Sequence, residues 1–420
     1  MQRTIWEKQA KKSFASLQED MSTDVLVIGG GICGILTAYY LSKHFKVVLV
    51  EADQIASSRT GKTTAVITAL QDVYYKDLIH QFGKTTAKLY LEANLNAIEE
   101  YEELSAIYEF DFERVNSYKY FKNNQSKLEE EYLSIKSLGY TPSIEDDYAI
   151  CFSNQAQMNP LKLISNMLDN FTVYENTKIV KIKNQIAYTD KNYIKAKYII
   201  VATGYPFLRL KGLYPLKLTQ KKSYVAVVED IKKDKDFNAI GCEEGDLYFR
   251  TYKNQLIIGG NDQKTGKTIG GFYPVLRYIE KNHPKKLVSY QWVNQDCITL
   301  DGLPYIGKYF KNQEVYVATG FNLWGMTGSM IAAQIFKDTL LGKTNPYMKI
   351  FEPSRKSPVI PLLINVKTAI VNLFKFKKRC LHLGCGLYYN KEEEAYECPC
   401  HGSKYDKNGN VLFNPSNKNK

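Results

Sequence analysis

Apolar runs separated by polar segments predict alternating strands and helices near the start of the chain. The run from Asp24 to Ile28 leads into a glycine-rich turn, Gly29 to Gly34, and a further apolar stretch continues to Leu41. A second apolar run, from Lys46 to Val50, ends at Glu51. This order of strand, tight turn, helix and strand predicts a Rossmann-like α/β unit.

Two later stretches have patterns that differ from this alternation. Apolar residues at steps of three and four predict a helix, and they are Leu91, Leu95, Ile98, Tyr101, Leu104 and Tyr108. A hairpin-like run follows at 118–122, and strand-like segments lie at 223–228, 247–252 and 255–260. We interpret these stretches as two α+β insertions into the α/β unit.

The segment from Ser357 to Phe374 mixes apolar positions with polar interruptions. Its apolar residues include Leu362, Val366, Ala369, Ile370 and Leu373, and its interruptions are Asn365, Lys367 and Asn372. This pattern predicts an amphipathic linker helix that is too short and too polar to span a bilayer. The favoured interpretation is packing on the preceding domain. The alternative is peripheral contact of residues 358–379 with a membrane, helped by Lys375, Lys377, Lys378 and Arg379.

Composition and charge narrow the class of protein. The 420 residues are 44% hydrophobic, which is typical of a globular protein with two or three lobes. The net charge of +12 comes from lysines spread among acidic residues, so no basic stripe indicates nucleic-acid binding. Residues 1–20 contain no apolar signal core, and several cysteines lie in apolar stretches like small buried residues. We therefore predict a cytoplasmic enzyme.

Two short boxes of cysteine and histidine lie in the C-terminal part of the chain. The first is Cys380-Leu-His382 and the second is Cys398-Pro-Cys-His401. Two thiolates and two imidazoles at this spacing indicate a [2Fe-2S] centre, and they also match a structural zinc site. Zinc would leave the additional cysteine in each loop without a role.

These boxes resemble those of the Rieske family, in Cys380-Leu-His-Leu-Gly-Cys385 and in Cys398-Pro-Cys-His-Gly-Ser403. The resemblance implies a [2Fe-2S] cluster whose ligands are Cys380, His382, Cys398 and His401. It also implies that the two remaining cysteines of the boxes, Cys385 and Cys400, form a disulfide between the two loops.

The same resemblance implies a high reduction potential. Ser403 and Tyr405 match positions that hydrogen-bond to cluster sulfur, and such bonds stabilise the more negative, reduced cluster. Residues 408–415 occupy the place of the proline loop that covers the cluster. Few residues follow the linker, so we expect this lobe to need its cluster, its disulfide or docking to stay folded.

The glycine-rich turn near the start of the chain indicates dinucleotide binding. Gly29, Gly31 and Gly34 let the backbone approach a pyrophosphate, and the helix that begins there offers free N–H groups to it. Glu51 lies at the distance expected for the acid that binds the ribose hydroxyls. Only one such fingerprint is visible in the sequence, so we expect the substrate, and not a nicotinamide nucleotide, to be the reductant.

Further segments resemble the D-amino-acid oxidase superfamily of the glycine oxidase and sarcosine oxidase type. They are two strands that end in a Thr-Gly turn, at 199–204 and 315–321, the motif Asp301-Gly-Leu-Pro-Tyr-Ile-Gly307, and the helix from Thr327. The resemblance covers residues 24 to 355 and implies FAD as the cofactor. The residues that it places at the cofactor are Gly29, Gly31, Gly34, Glu51, Ser57, Ser58, Thr60, Gly61, Thr63, Thr64, Val180, Gly204, Gly320, Gly325 and Thr327.

The two resemblances predict an α/β FAD-binding Rossmann-like domain with α+β substrate-domain insertions, followed by a small β-rich Rieske lobe. We expect an N-terminal arm at 1–23 and an amphipathic linker helix at 356–376. The expected domains are a FAD-binding domain at 24–75, 155–204 and 297–355, a substrate domain at 76–154 and 205–296, and a Rieske domain at 377–420.

This combination implies an oxidoreductase that oxidises a C–N bond of a small amine or amino acid. Electrons would pass from FAD through the cluster to an external one-electron acceptor. Candidates for substrate positioning are Tyr248, Arg250, Trp292 and Asp296. Related amino-acid oxidases often carry an arginine for the substrate carboxylate just upstream of the Asp-Gly-Leu-Pro motif. In this chain Asp296 lies in that stretch, which favours an amine without a carboxylate.

Two alternatives remain at the level of sequence. One is a flavin amine oxidase that uses oxygen and carries a structural or sensing cluster. The other is a redox-responsive binding protein without turnover.

Overall fold

A computed structural model describes residues 3–7, 12–122, 124–208, 211–232, 235–241, 246–267, 269–309, 313–375 and 378–416. Lys377 lies outside these residues, as do parts of the predicted N-terminal arm and the last four residues of the predicted Rieske domain. The strands of the described residues form three sheets.

Strands outnumber helices and occur in runs of up to four along the described residues. The strands are β1 Met21–Ile28, β2 Val47–Val50, β3 Val66–Ile67, β4 Glu113–Tyr120, β5 Ser143–Glu145, β6 Ala149–Gln157, β7 Thr172–Tyr174, β8 Lys181–Lys183, β9 Ile186–Tyr188, β10 Tyr193–Gly204, β11 Leu218–Val228, β12 Phe237–Gly241, β13 Leu247–Tyr252, β14 Gln255–Lys264, β15 Val288–Thr299, β16 Tyr305–Lys308, β17 Val315–Thr319, β18 Tyr388–Asn390, β19 Ala395–Glu397, β20 Lys404–Asp406 and β21 Val411–Phe413. The helices are α1 Ile32–Ser42, α2 Tyr75–Phe82, α3 Lys84–Ser105, α4 Gln125–Ser137, α5 Pro160–Met167, α6 Tyr214–Lys217, α7 Tyr273–Asn282, α8 Gly325–Leu340 and α9 Val359–Leu373.

The first sheet has the strand order β16-β17-β10-β1-β2-β7, and a β8–β9 hairpin extends β10. Its strands are parallel from β17 to β7, and β16 is antiparallel. Ile28 at the end of β1 pairs with Val50 of β2 on one side and with Val201 of β10 on the other. The carboxyl ends of these strands therefore meet at one edge, where α1 begins. This arrangement confirms the predicted Rossmann-like unit.

The second sheet has the order β15-β11-β14-β13-β12-β4-β6-β3, with β5 beside β6. It combines strands from both predicted insertions, which confirms their α+β character. The predicted helix is α3, which ends before Tyr108. The hairpin expected at 118–122 does not form, because Tyr118 and Tyr120 belong to β4 and pair with β6, which follows only after α4.

Strand pairing crosses some of the predicted domain boundaries. β3 lies within residues 24–75 but pairs in the second sheet. β6 and β15 both extend across a predicted boundary, because each is a single continuous strand of the second sheet. The domain boundaries themselves stay a prediction.

Residues 378–416, termed the cluster lobe, form the third sheet, an antiparallel meander from β18 to β21. The lobe buries a small core that consists of Cys380, Cys385, Leu387, Cys398, Cys400 and Tyr405. Because most of these side chains are cysteines, apolar burial alone contributes little to the stability of the lobe.

The linker forms α9, which packs on α6 of the preceding part of the chain, in line with the favoured prediction, but it leaves several apolar side chains uncovered. Ile370 and Leu373 are exposed, whereas Asn365 and Asn372 are buried. Apolar residues occur on both sides of this helix, so periodicity did not determine which side the protein covers. Among the described residues, no helix combines the length and the apolar content needed to cross a bilayer.

Candidate active site and cluster site

A cavity of about 570 Å³ lies at the carboxyl edge of the first sheet. The predicted cofactor residues that line it are Gly29, Gly31, Glu51, Ser57, Ser58, Thr60, Thr63, Gly204 and Gly325. The predicted cofactor residues that lie outside its lining are Gly34, Gly61, Thr64, Val180, Gly320 and Thr327. Residues 411–416 of the cluster lobe line the same cavity. One cavity therefore borders both the glycine turn and the end of the predicted proline loop.

Close backbone packing at the glycine turn leaves no room for side chains. A Cβ on Gly34 would lie 1.9 Å from the Gly29 carbonyl oxygen. Glu51 accepts hydrogen bonds from the N–H groups of Gly30 and Asp53 at 2.6 and 3.0 Å, and burial raises the pKa of Glu51. A carboxylate held by backbone N–H groups suits the ribose hydroxyls of a dinucleotide, and a turn without side chains suits its pyrophosphate. These residues therefore fit FAD.

Three of the four candidate substrate residues lie behind the cavity wall, where Arg250 and Trp292 are buried and Tyr248 is half-buried. Trp292 and Arg250 donate hydrogen bonds to backbone carbonyls of the loop 57–64. Burial lowers the pKa of Arg250 to about 9. Tyr248 Oη lies 2.8 Å from Ser223 Oγ. None of the three is among the residues that line the cavity. Their contacts hold the wall in place, and their catalytic roles stay predictions.

Asp296 is the candidate residue that does line the cavity. Its carboxylate oxygens accept hydrogen bonds from the N–H groups of Cys297 and Leu323 at 2.8 and 3.0 Å. Arg59 Nε lies 3.6 Å from the same carboxylate, and burial raises the pKa of Asp296. Sequence reasoning missed Arg59. It lies in the predicted polar loop, and only the fold brings it opposite Asp296.

Asp262 on β14 is a second acidic residue that sequence reasoning missed. One of its carboxylate oxygens is buried and has no hydrogen-bond partner within the described residues. Burial raises the pKa of Asp262 from 3.8 to about 6, although a hydrogen bond with Ser223 opposes this shift. No sequence pattern distinguishes it from a surface aspartate of a strand.

Asp262→Asn is expected to stabilise the protein at pH 8 and to have little effect near pH 4. A carboxyl whose pKa is raised on folding stabilises the fold fully below about 3.8, and this contribution is lost as the pH rises through about 6. The gain at pH 8 is at most about 3 kcal/mol, given 1.36 kcal/mol per pKa unit. Denaturant unfolding at both pH values measures it, with the exposed Asp77→Asn as the matched control. An equal effect of Asp262→Asn at both pH values would contradict the assignment.

The four predicted cluster ligands lie together in two loops of the cluster lobe. Cys380 and His382 precede β18, whereas Cys398 and His401 lie between β19 and β20. Each loop turns back through a backbone hydrogen bond to its first cysteine, at 2.9 and 3.0 Å. All four side chains are buried, and the two imidazole centroids are 5.0 Å apart.

Hydrogen-bond donors surround the first cysteine. A hydrogen bond from the Cys398 thiol, with further ones from Ser403 and Tyr405, lowers the pKa of Cys380, and the same contact raises the pKa of Cys398. Tyr405 Oη lies 3.5 Å from Cys380 Sγ. An environment that stabilises a thiolate suits a metal-binding cysteine.

The remaining cysteines and the histidines complete the pattern. Cys385 and Cys400 form a disulfide between the two loops, which confirms the prediction. Nδ1 of His401 is buried and accepts or donates no hydrogen bond within the described part of the chain, as expected of a nitrogen that binds metal. The residues therefore fit a [2Fe-2S] cluster with two sulfur and two nitrogen ligands.

Polar contacts join the cluster lobe to the cavity wall. Asn414 accepts a hydrogen bond from Arg59 at 3.0 Å and donates one to the Thr203 carbonyl at 2.8 Å. Gln220 of β11 donates to the backbone carbonyls of His401 and Asn414 at 2.7 and 2.9 Å. These contacts fix the second box against β11 of the second sheet and Asn414 against the edge of the first sheet.

Tyr205 lies between the cavity and the predicted cluster ligands. It lines the cavity, and its ring centroid is 5.8 Å from that of His382 and 6.5 Å from that of His401. Sequence reasoning missed this residue. It directly follows the Thr-Gly turn at Gly204, but its contact with the histidines depends on how the cluster lobe docks.

Comparison with known proteins gives the family. The sequence profile of the FAD dependent oxidoreductase family matches residues 24–339, and that of the Rieske [2Fe-2S] domain matches residues 362–419. A putative Rieske 2Fe-2S iron-sulfur protein of Bacillus subtilis is 30% identical across 99% of this chain and 96% of its own length. Gamma-glutamylputrescine oxidoreductase of Escherichia coli is 24% identical across 78% of this chain and 86% of its own. Glycine oxidase from Geobacillus kaustophilus superimposes with a TM-score of 0.67 at 16% identity, over 80% of this chain and 100% of that chain.

These matches agree with the geometry of both sites. The glycine turn and the cavity belong to a domain that binds FAD, and the two boxes belong to a domain that binds a [2Fe-2S] cluster, which decides against zinc. The chain therefore belongs to the FAD dependent oxidoreductase family and carries a Rieske [2Fe-2S] domain in its C-terminal part.

Proposed function

We propose that this chain oxidises a C–N bond of a small amine or amino acid on FAD and passes the electrons through the Rieske cluster to an external one-electron acceptor. The observation that carries the proposal is the shared cavity, lined by the glycine turn at Gly29 and by residues 411–416 of the cluster lobe. Tyr205 lines it too and contacts both histidines of the cluster lobe. Short, buried contacts of this kind suit electron transfer within one chain.

The proposal assigns residues to FAD and to the cluster. Gly29, Gly31, Gly34 and Glu51 would hold the ADP half of FAD, and the loop 57–64 and the turn 320–327 would border its flavin half. The cluster ligands would be Cys380, His382, Cys398 and His401. When bound, FAD accepts a hydride and the cluster carries one electron at a time.

The overall reaction balances with an external oxidant. The substrate loses a hydride from the carbon of its C–N bond, and water hydrolyses the resulting imine to a carbonyl compound and an amine or ammonia. The two electrons reduce two equivalents of a one-electron acceptor, and the protons go to solvent. The contribution of the chain is mainly to position the substrate and to exclude water.

Asp296 supports an amine or polyamine as substrate over an amino acid. It lines the cavity in the stretch where a carboxylate-binding arginine is expected in related amino-acid oxidases. Arg59 lies 3.6 Å from the Asp296 carboxylate and offsets part of its negative charge. The substrate amine and Arg59 would therefore both interact with this carboxylate. The likeness to gamma-glutamylputrescine oxidoreductase, whose name gives an amine substrate, is in line with this choice. Turnover of glycine or sarcosine without turnover of amines would contradict it.

Anaerobic rapid mixing of the holoprotein with single amines and amino acids tests the proposal. We expect the flavin absorbance to bleach, the EPR signal of a reduced histidine-ligated cluster to follow, and ferricyanide turnover to exceed oxygen turnover. Bleaching with an oxidised cluster and fast oxygen turnover would support a flavin amine oxidase instead. No bleaching by any substrate would support a redox-responsive binding protein. The cytoplasmic location stays a prediction.

Ser403→Ala is expected to lower the reduction potential of the cluster. Loss of a hydrogen bond toward sulfur removes stabilisation from the more negative, reduced state. The wild-type potential should lie in the upper part of the range of about −150 to +300 mV found for histidine-ligated clusters. A redox titration followed by EPR measures the change, with the exposed Ser354→Ala as control. An unchanged reduction potential would mean that Ser403 does not donate a hydrogen bond to a sulfur atom of the cluster or its ligands.

A further inference from the structure

The helix α9 exposes a stripe of large apolar side chains. The exposed apolar residues on this helix and at its C-terminal end are Val359, Ile360, Leu363, Ile364, Ile370, Val371, Leu373 and Phe374, which are 41 to 78% exposed. Their spacing of three and four residues forms one continuous stripe along the helix. The fully buried residues of α9 are both polar, Asn365 and Asn372.

Polar contacts on the buried side fix this orientation. Asn365 Nδ2 donates to the Leu216 carbonyl of α6 at 3.1 Å. The backbone carbonyl of Asn372 accepts a hydrogen bond from the Gly386 N–H at 2.8 Å. The side-chain Oδ1 of Asn372 accepts a hydrogen bond from Tyr388 Oη at 3.3 Å. The helix is therefore attached both to the segment beside the first sheet and to the cluster lobe. A rotation that buried the apolar stripe would leave two asparagine side chains without these partners.

The segment that contains the stripe carries charge of a single sign, and of its cations Arg355 is paired with Asp301. Residues 353–391 contain no aspartate and no glutamate. The basic residues in this segment are Arg355, Lys356, Lys367, Lys375, Lys377, Lys378, Arg379 and Lys391. Lys356 and Lys367 are exposed, and Lys367 lies within the apolar stripe.

We propose that α9 docks this protein onto the surface of an anionic lipid bilayer. An apolar stripe with flanking lysines inserts its apolar side chains at the boundary of headgroups and acyl chains, while the lysines meet lipid phosphates. A second copy of the chain fits less well as the partner. A twofold contact through the stripe would bring Lys367 and the other cations of this segment close to the identical cations of the second copy. Since α9 ends against the loop that contains Gly386, docking holds the cluster lobe at the lipid surface. The proposal does not depend on the substrate.

Vesicle co-sedimentation of the holoprotein tests this inference. We expect binding to vesicles of phosphatidylcholine with phosphatidylglycerol, much weaker binding to phosphatidylcholine alone, and loss of binding as salt is raised. Leu363→Gln with Phe374→Gln should reduce binding at least about tenfold, because two large apolar side chains no longer enter the lipid. The matched control is Ile107→Gln with Leu133→Gln, which replaces side chains of similar exposure near the end of α3 and on α4.

A second variant tests the electrostatic part. Lys356→Gln with Lys367→Gln should weaken binding to the anionic vesicles without changing the flavin and cluster spectra, since both lysines are exposed. Equal sedimentation of wild type with and without vesicles would overturn the proposal. So would unchanged binding of the Leu363 and Phe374 variant. A third result would assign the stripe to a second copy of the chain instead. In that case the wild type would not bind vesicles and would form a dimer in sedimentation velocity, and the Leu363 and Phe374 variant would be a monomer.

Discussion

Cys380→Ala is expected to abolish reduction of a one-electron acceptor while substrate still bleaches the flavin. Cys380 is buried in the core of the cluster lobe, next to Cys398 and Tyr405. Loss of one of four ligands removes the cluster, whereas the glycine turn and most residues that line the cavity lie in another part of the chain. Acceptor turnover should fall by more than about a hundredfold, beyond the 10- to 100-fold cost of altering partners of metal ligands.

Iron and acid-labile sulfide analysis, EPR and anaerobic flavin bleaching measure the effect on one preparation. Cys151→Ala is the matched control, because this thiol is equally buried but lies in β6 of the second sheet. The variant Cys380→Ala should lose the EPR signal and keep flavin bleaching, and the control should keep both. Full acceptor turnover in Cys380→Ala without a cluster would contradict the proposed electron route.

Lys222→Met is expected to destabilise the protein by about 3–5 kcal/mol, the usual cost of removing one partner from a buried ion pair. Lys222 Nζ lies 2.9 Å from Glu393 and 2.7 Å from Glu397, and all three side chains are almost inaccessible to solvent. Methionine preserves the volume but leaves carboxylates buried between the second sheet and the cluster lobe. Loss of these contacts should also weaken docking of the cluster lobe.

Denaturant unfolding measures this change, and cluster EPR reports on the lobe in the same samples. Lys308→Met removes an ion pair with Glu314 at 2.7 Å, whose side chains are both 42% exposed, and serves as the control. It should cost no more than about 1 kcal/mol, because water already screens the pair. Similar losses for the two variants would mean that Lys222 contributes nothing special to docking.

The pH dependence of the same contact provides an independent check. Burial acts to raise the pKa of Glu393, but Lys404 and Lys222 outweigh it and lower the pKa to about 2. A carboxyl with a depressed pKa stabilises the fold above its ordinary value of 4.5, and this contribution is lost as the pH falls toward 2. The difference in unfolding free energy between wild type and Lys222→Met should therefore shrink over this interval.

Motifs of closely spaced residues could be predicted from the sequence because their chemistry demands particular residue types. A turn that must approach a pyrophosphate requires glycine at Gly29 and Gly34, where a Cβ would collide with backbone. A cluster held by two sulfurs and two nitrogens requires cysteine and histidine at short spacing. The Rossmann-like unit, the α+β insertions and both cofactors follow from such local requirements and from the resemblances that they carry.

Contacts between distant residues could not be predicted in this way. Arg59 meets Asp296, Tyr205 meets His382, and Lys222 meets Glu393 only because sheet register and lobe docking bring them together. An arginine in a polar loop, a tyrosine after a turn or a lysine in a strand has no distinguishing pattern of its own. Their partners lie between about 170 and 240 residues away along the chain, beyond the reach of any local periodicity.

The helix α9 shows which of its properties depend on local sequence and which depend on the packed fold. Its sequence was sufficient to predict a helix between Ser357 and Phe374 that is too short to cross a bilayer, and the helix forms at Val359–Leu373. The side that faces outward could not be predicted, because apolar residues lie all around the helix. The packed fold fixes that side through the hydrogen bonds of Asn365 and Asn372, since a buried amide needs a partner and an exposed leucine does not.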